Sequence, residues 1–104
     1  MKPFEIHSAR HPVGKADYPR PWLIVDVRQN GLVGCFFIST ECYGLDMDCF
    51  CLDENDPDFP ATGLHHSCYI NWVHIFDVPH SAFINKRGDL QGNLLQRFRK
   101  GAGI

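Results

Sequence analysis

The sequence predicts a small, mainly β domain that ends in one α-helix, and three observations lead to it. Short apolar runs rich in aromatic and β-branched residues recur along the chain, separated by breaks that contain Gly, Pro and Asn. Two of these runs flank a hairpin signal, Gln29-Asn30-Gly31. Helical spacing of apolar residues begins only after Asp89. At 104 residues the chain has room for a single domain, spanning 1–104, with one modest core. Five or six strands and one terminal helix in that length point to a small, strongly curved antiparallel barrel.

The elements follow in order. Phe4-Glu5-Ile6-His7 alternates and predicts a short first strand, followed by a turn-rich stretch from His11 to Pro19. Arg20-Pro21 opens the apolar run Trp22-Leu23-Ile24-Val25, so a buried strand is expected over 22–27; a proline is tolerated at the start of a strand. Leu32 to Ile38 is the returning strand of the hairpin. Met47, Cys49 and Cys51 alternate with Asp48, Phe50 and Leu52, which predicts another strand over 46–52. Asp56-Pro57, Phe59-Pro60 and Thr62-Gly63 mark Asp53 to Gly63 as an exposed loop. Cys68 to Phe76 reads as a long central strand. From Asp89 to Arg99, Leu90, Leu94, Leu95 and Phe98 fall at helical spacing, with Arg97, Arg99 and Lys100 in the last turn, where the helix dipole favours cations.

Composition excludes several classes. With 44% apolar and 21% charged residues the chain is neither disordered nor membranous, and no apolar stretch approaches a membrane span. Lys2, Glu5 and His7 do not make a signal peptide, so a cytoplasmic protein with no membrane partner is expected. The cysteines, Cys35, Cys42, Cys49, Cys51 and Cys68, are odd in number, which favours reduced thiols over a disulfide framework. Net charge is −2, but all ten Lys and Arg lie in 2–28 or 86–100. Those ends carry four acids and a balance of +6, whereas the middle carries eight acids and no cation. If the ends meet in the fold they form a positive face suited to a polyanion, and the acidic middle, Asp46 to Asp58, must then point elsewhere.

Four blocks resemble the MazF/PemK family of bacterial toxins, endoribonucleases made with a neutralising antitoxin. They are Arg20-Pro21-Trp22-Leu23-Ile24-Val25, Phe36-Phe37-Ile38-Ser39-Thr40, Gly63-Leu64-His65-His66-Ser67 and Arg87-Gly88-Asp89-Leu90, and together they cover most of 20–98. The resemblance implies an SH3-like barrel of the PemK/CcdB type, single-stranded RNA as substrate, an antitoxin protein as partner, a homodimer, and no cofactor or metal. Two departures stand out. The segment before Arg20, Pro12 to Tyr18, is short and lacks the family's glutamate, and Asn71 and Val73 occupy positions where some members place Arg and Asp.

Metal-free RNA cleavage uses the substrate's own 2′-hydroxyl as nucleophile, so the protein must supply a base, an acid and a cation for the developing charge. Arg20 suits the phosphate clamp, because a guanidinium forks across two oxygens. By family similarity Ser39 or Thr40 stands beside it as a hydrogen-bond donor. Tyr18 and Trp22 are candidates for base stacking. Lys15, His11, Asn71 and His74 complete the expected substrate-binding set, and His7, His11 and His74 can move protons near neutral pH.

Two other classes compete. Cys49-x-Cys51 and His65-His66-x-Cys68, with Cys42, supply potential zinc ligands, although one intervening residue between two thiols suits a closed site poorly. Alternatively the barrel is catalytically silent and acts as a protein-binding module or a DNA/RNA-associated regulator. Its interface would then use the acidic run with Trp72, Phe76 and Phe83.

Overall fold

The computed structural model describes residues 1–10 and 19–104. Its centre is the hairpin read from Gln29-Asn30-Gly31: β2 (Arg20–Val27) and β3 (Leu32–Ser39) pair antiparallel with Trp22 opposite Phe37 and Leu23 opposite Phe36. Gly31 takes φ 83°, the left-handed conformation the turn needs. Around the hairpin, among the described residues, lie β1 (Glu5–Ala9), β4 (Cys49–Leu52), β5 (Cys68–Pro79) and β6 (Phe83–Asp89). They form one six-stranded antiparallel sheet in the order β4-β5-β3-β2-β1-β6. Register shifts between Ile24 and Asp26, between Cys35 and Phe37, and twice in the β1–β6 pair mark bulges, the usual device for bending a strand.

Both faces of the central hairpin are buried. Leu23, Phe36 and Ile38 point to a core shared with α1 (Gly92–Ala102), where Phe98 meets the rings of Phe4, Phe36, Phe50 and Trp72 at 5.5–6.4 Å. Trp22, Ile24, Val33, Cys35 and Phe37 point the other way, into a second cluster with Val78. The helix starts three residues later than its spacing suggests, because 83–89 extends along β1 as a strand. Its first free N–H groups, at Asn93 and Leu94, donate to Asp58 Oδ2 from a distant loop (3.0 and 3.4 Å). At its end Gly103, at φ 73°, returns its N–H to the Arg99 carbonyl.

The two edges of the sheet are joined by a turn. After β4, a 3-10 turn at Pro60–Thr62 lies on β6 so closely that a Cβ at Gly63 would fall 2.0 Å from the Arg87 carbonyl oxygen, and one at Gly88 2.3 Å from that of Ala61. Phe59 and Thr62 are buried there, and the Thr62 hydroxyl donates to the Phe59 carbonyl (2.7 Å). The stretch expected as an exposed loop therefore contributes to the core in its second half. Residues 46–48 likewise form a 3-10 turn rather than the start of β4.

The cysteine expectation is overturned. Cys42 and Cys49 form a disulfide, their Cα atoms 5.9 Å apart across the 3-10 turn, while Cys35, Cys51 and Cys68 stay free. An odd count leaves a thiol over without forbidding a local pair, and the turn brings these two within bridging range. Three of the cations expected on a positive face are compensated: Arg28 pairs with Asp26 and Asp77, Lys86 with Glu5 and Asp89, and Arg97 with Asp56. Among the described residues no helix is long and apolar enough to cross a membrane.

Candidate active site

On the face away from α1 the aromatic cluster opens into a cavity of about 520 Å³. Arg20, at the start of β2, lines it with Phe37 from β3 and Asn71, Val73, His74 and Phe76 from β5; Tyr43, Gly44 and Asp48 come from the loop between β3 and β4. The Arg20 guanidinium carbon lies 5.6 Å from the Phe37 ring centroid, a cation–π distance. Continuing the β2–β3 register by two residues from the Trp22–Phe37 pair sets Arg20 opposite Ser39.

The loop over the cavity is held in several places. The disulfide ties Cys42 to Cys49 at the head of β4. Asn71 accepts the Tyr43 N–H on Oδ1 (2.9 Å) and donates from Nδ2 to the Glu41 carbonyl (3.3 Å). Trp72 donates its indole N–H to the Met47 carbonyl (3.0 Å), and Asp48 Oδ2 accepts the Leu45 N–H (2.8 Å). A Cβ at Gly44 would fall 2.4 Å from Asp48 Oδ2, so only glycine lets the carboxylate fold over the turn. These ties present Tyr43, 64% exposed, with its ring 5.9 Å from Phe37 and its hydroxyl 3.4 Å from Ser39 Oγ.

The residues read from sequence divide into three groups. Arg20, Asn71 and His74 line the cavity, and Ser39 reaches its wall through Tyr43. Asn71 is engaged in holding the loop, so its part is positioning. Trp22 does not serve as a stacking surface: it is 1% exposed and packs edge-on beneath Phe37 and Phe76, at 5.2 and 5.6 Å. Thr40 is exposed and does not line the cavity, because it follows Ser39 at the end of β3, where side chains alternate in direction. His7 lies on β1, with Nε2 2.9 Å from Glu5 Oε1 and its ring against Phe83. His11, Lys15 and Tyr18 lie outside the described residues.

Sequence reasoning missed Phe37, Tyr43, Asp48 and Phe76 on the cavity wall. From the acidic middle of the chain, Asp48 lines the same cavity as Arg20. The signal was the pair of cysteines bracketing Tyr43 to Asp48, since a covalent clip on a short loop holds whatever the loop carries.

The thiols do not extend the chemistry. Burial pushes Cys35 up to about 12 and Cys68 up to about 11, so neither offers a thiolate near neutral pH. The zinc reading loses its ligands, because Cys42 and Cys49 are bonded to each other, and no group of three or more His, Cys, Asp or Glu gathers among the described residues. The apolar interface of the silent-barrel reading does not form as one patch. Trp72 packs against the helix-side core, and Phe76 and Phe83 against the opposite cluster.

No protein-family model and no curated relative matches the sequence. Solved structures do. The Mycobacterium tuberculosis toxin MazF-mt6 superposes with a TM-score of 0.66 at 20% identity, over 95% of this chain and 92% of the toxin. An endoribonuclease in complex with its cognate antitoxin, from a mycobacterial species, gives a TM-score of 0.64 at 16% identity, over 94% of this chain and 84% of that one. Along nearly its whole length, the chain therefore has the MazF-like fold that its four sequence blocks implied.

Proposed function

We propose that the chain is a toxin-type endoribonuclease that cleaves single-stranded RNA without a metal ion. The observation that carries this reading is the placement of Arg20, held over the Phe37 ring in an aromatic-walled cavity, on a fold shared with a MazF toxin and a mycobacterial endoribonuclease. The RNA 2′-oxygen attacks phosphorus, the bond to the 5′-oxygen breaks, and the products are a 2′,3′-cyclic phosphate and a 5′-hydroxyl end. Arg20 binds the phosphate and meets the charge that grows on its oxygens. Ser39 acts as a second donor, from its place beside Tyr43. His74, the imidazole on the cavity wall, is the side chain best placed to move a proton.

The same reading assigns a partner. The mycobacterial endoribonuclease is held by its cognate antitoxin, and an antitoxin segment over this cavity is the expected way to silence the present chain. A homodimer in the cytoplasm completes the proposal, and the exposed Val73 and Ile75 on β5 supply apolar surface for an interface.

The test is incubation of the purified protein with a mixed single-stranded RNA pool in the presence of chelator. Cleavage leaving 5′-hydroxyl ends, reduced about 10²–10³-fold by Arg20→Ala, is the expected result. Equal cleavage by the variant rejects the site. One observation favours the silent-barrel alternative: β5 carries Asn71 and Val73 in place of an Arg and Asp pair, and Asn71 is occupied in holding the loop. Intact RNA from every pool, with the protein folded, would decide for that alternative.

A further inference from the structure

The cavity carries opposite charges on a shared aromatic floor. Among the described residues that line it, Arg20 is the one Lys or Arg and Asp48 the one carboxylate, with Phe37, Tyr43 and Phe76 supplying ring surface. Asp48 ties the turn through one oxygen, but its negative charge beside a phosphate also repels it. A nucleotide, however, is polar in both senses: its phosphate is an anion, its base edge presents N–H donors, and its ring faces are apolar. We propose that Asp48 and Tyr43 form a base-recognition subsite that prefers a nucleobase bearing an exocyclic amine, cytosine over uracil, next to the phosphate held by Arg20. This rests on the nuclease reading for its substrate class, but its test does not require cleavage.

Three features of the geometry support the assignment. Asp48 lines the cavity and uses Oδ2 for the Leu45 N–H, which leaves the lone pairs of Oδ1 as acceptor capacity on this residue. An ionised carboxylate accepts from the 4-amino group of cytosine and meets an oxygen lone pair at the same place on uracil. Tyr43 is set beside Phe37 by ties at both ends of its loop, and at 64% exposure its ring leaves a face free to stack a base. The loop is therefore ordered before a base arrives, which lowers the entropic penalty of binding.

The experiment compares binding of short, cleavage-resistant deoxycytidine and deoxyuridine oligomers to the intact protein, by fluorescence anisotropy at fixed ionic strength. Wild type is expected to bind the cytosine oligomer roughly tenfold more tightly, the discrimination typical of one good polar pair to a base. Asp48→Asn keeps an oxygen for the Leu45 N–H, so the turn is preserved, but it places an amide donor at the base edge; the preference should vanish or invert. Tyr43→Ala should weaken both oligomers roughly tenfold, whereas Tyr43→Phe, which keeps the ring, should weaken neither. Equal binding of the two oligomers by wild type, or a preference unchanged in Asp48→Asn, overturns the subsite even where RNA is cleaved. A preference lost in Asp48→Asn, together with RNA left intact, upholds the subsite and removes the nuclease instead.

Discussion

The two faces of the β2–β3 hairpin are built from the same alternating sequence yet end in different surroundings. Leu23, Phe36 and Ile38 on one face are covered by α1, whose Phe98 is fully buried among four aromatic rings. Trp22 and Phe37 on the other face meet no α-helix among the described residues, and the cavity forms where their cluster reaches the loop carrying Tyr43 and Asp48. The difference bears on stability and chemistry: a sheet face sealed by an amphipathic helix is committed to packing, whereas the other face combines a buried cluster with an open cavity beside a clipped loop. Substitutions on the helix face should act on folding and those on the cavity face on RNA.

The largest effect expected is on the sealed side. Phe98→Ala removes the ring shared by Phe4, Phe36, Phe50 and Trp72 and should lower unfolding free energy by about 3–5 kcal/mol in urea denaturation, bringing a domain of this size close to its stability limit. A loss under about 1 kcal/mol would mean that the helix is not the seal described here. Arg20→Ala is the counterpart on the open side. It should raise the barrier to cleavage by about 2.7–4 kcal/mol while moving the denaturation midpoint little. A variant that unfolds instead would place Arg20 with the core and dissolve the distinction between the faces.

The clip between the regions comes next. Opening Cys42–Cys49, by reduction or as the Cys42→Ser, Cys49→Ser double variant, frees a short loop and should lower stability by about 2–3 kcal/mol. Hydrogen exchange at the Tyr43 amide, which donates to Asn71 Oδ1, should quicken as the loop loosens. Oligonucleotide binding should weaken while α1 keeps its helical signal in circular dichroism. Loss of the helix together with the loop would show that the two faces are not independent.

These differences also mark what the sequence could disclose. The hairpin was legible because Gln29-Asn30-Gly31 is a local turn signal and its strands alternate. Arg20 was legible because Arg-Pro at the mouth of a buried strand leaves a charge at the rim. Phe37 and Phe76 were not, since an aromatic residue in a strand gives no hint of whether a helix will cover it. The place of Asp48 beside Arg20 was not legible, because charge counted along the chain ignores the turn that sets this carboxylate on the cavity wall. Cys42 and Cys49 were misread because parity carries no geometry; only the 3-10 turn brings them together. Trp22, expected as a stacking surface, instead lies buried beneath the Phe37 and Phe76 rings of the cavity wall.

The smallest effect concerns the edge at which β6 joins β1, away from both faces. Glu5 accepts from His7 Nε2 (2.9 Å) and from the Lys2 N–H (3.0 Å), and pairs with Lys86 Nζ across the two strands (3.2 Å). The hydrogen bond from His7, helped by Lys2 and Lys86, outweighs burial and holds its carboxyl down at about 2, against an ordinary 4.5. A carboxyl whose affinity for protons is lower in the folded state stabilises that state fully above about pH 4.5, and the contribution drains away as pH falls toward 2. Wild type should therefore lose on the order of 2 kcal/mol across that window from this group, and Glu5→Gln should start lower at neutral pH and fall less steeply. Parallel urea-midpoint curves for the two proteins between those pH values would show that the carboxylate does not tie the strands, leaving the β1–β6 ladder to hold that edge by its backbone alone.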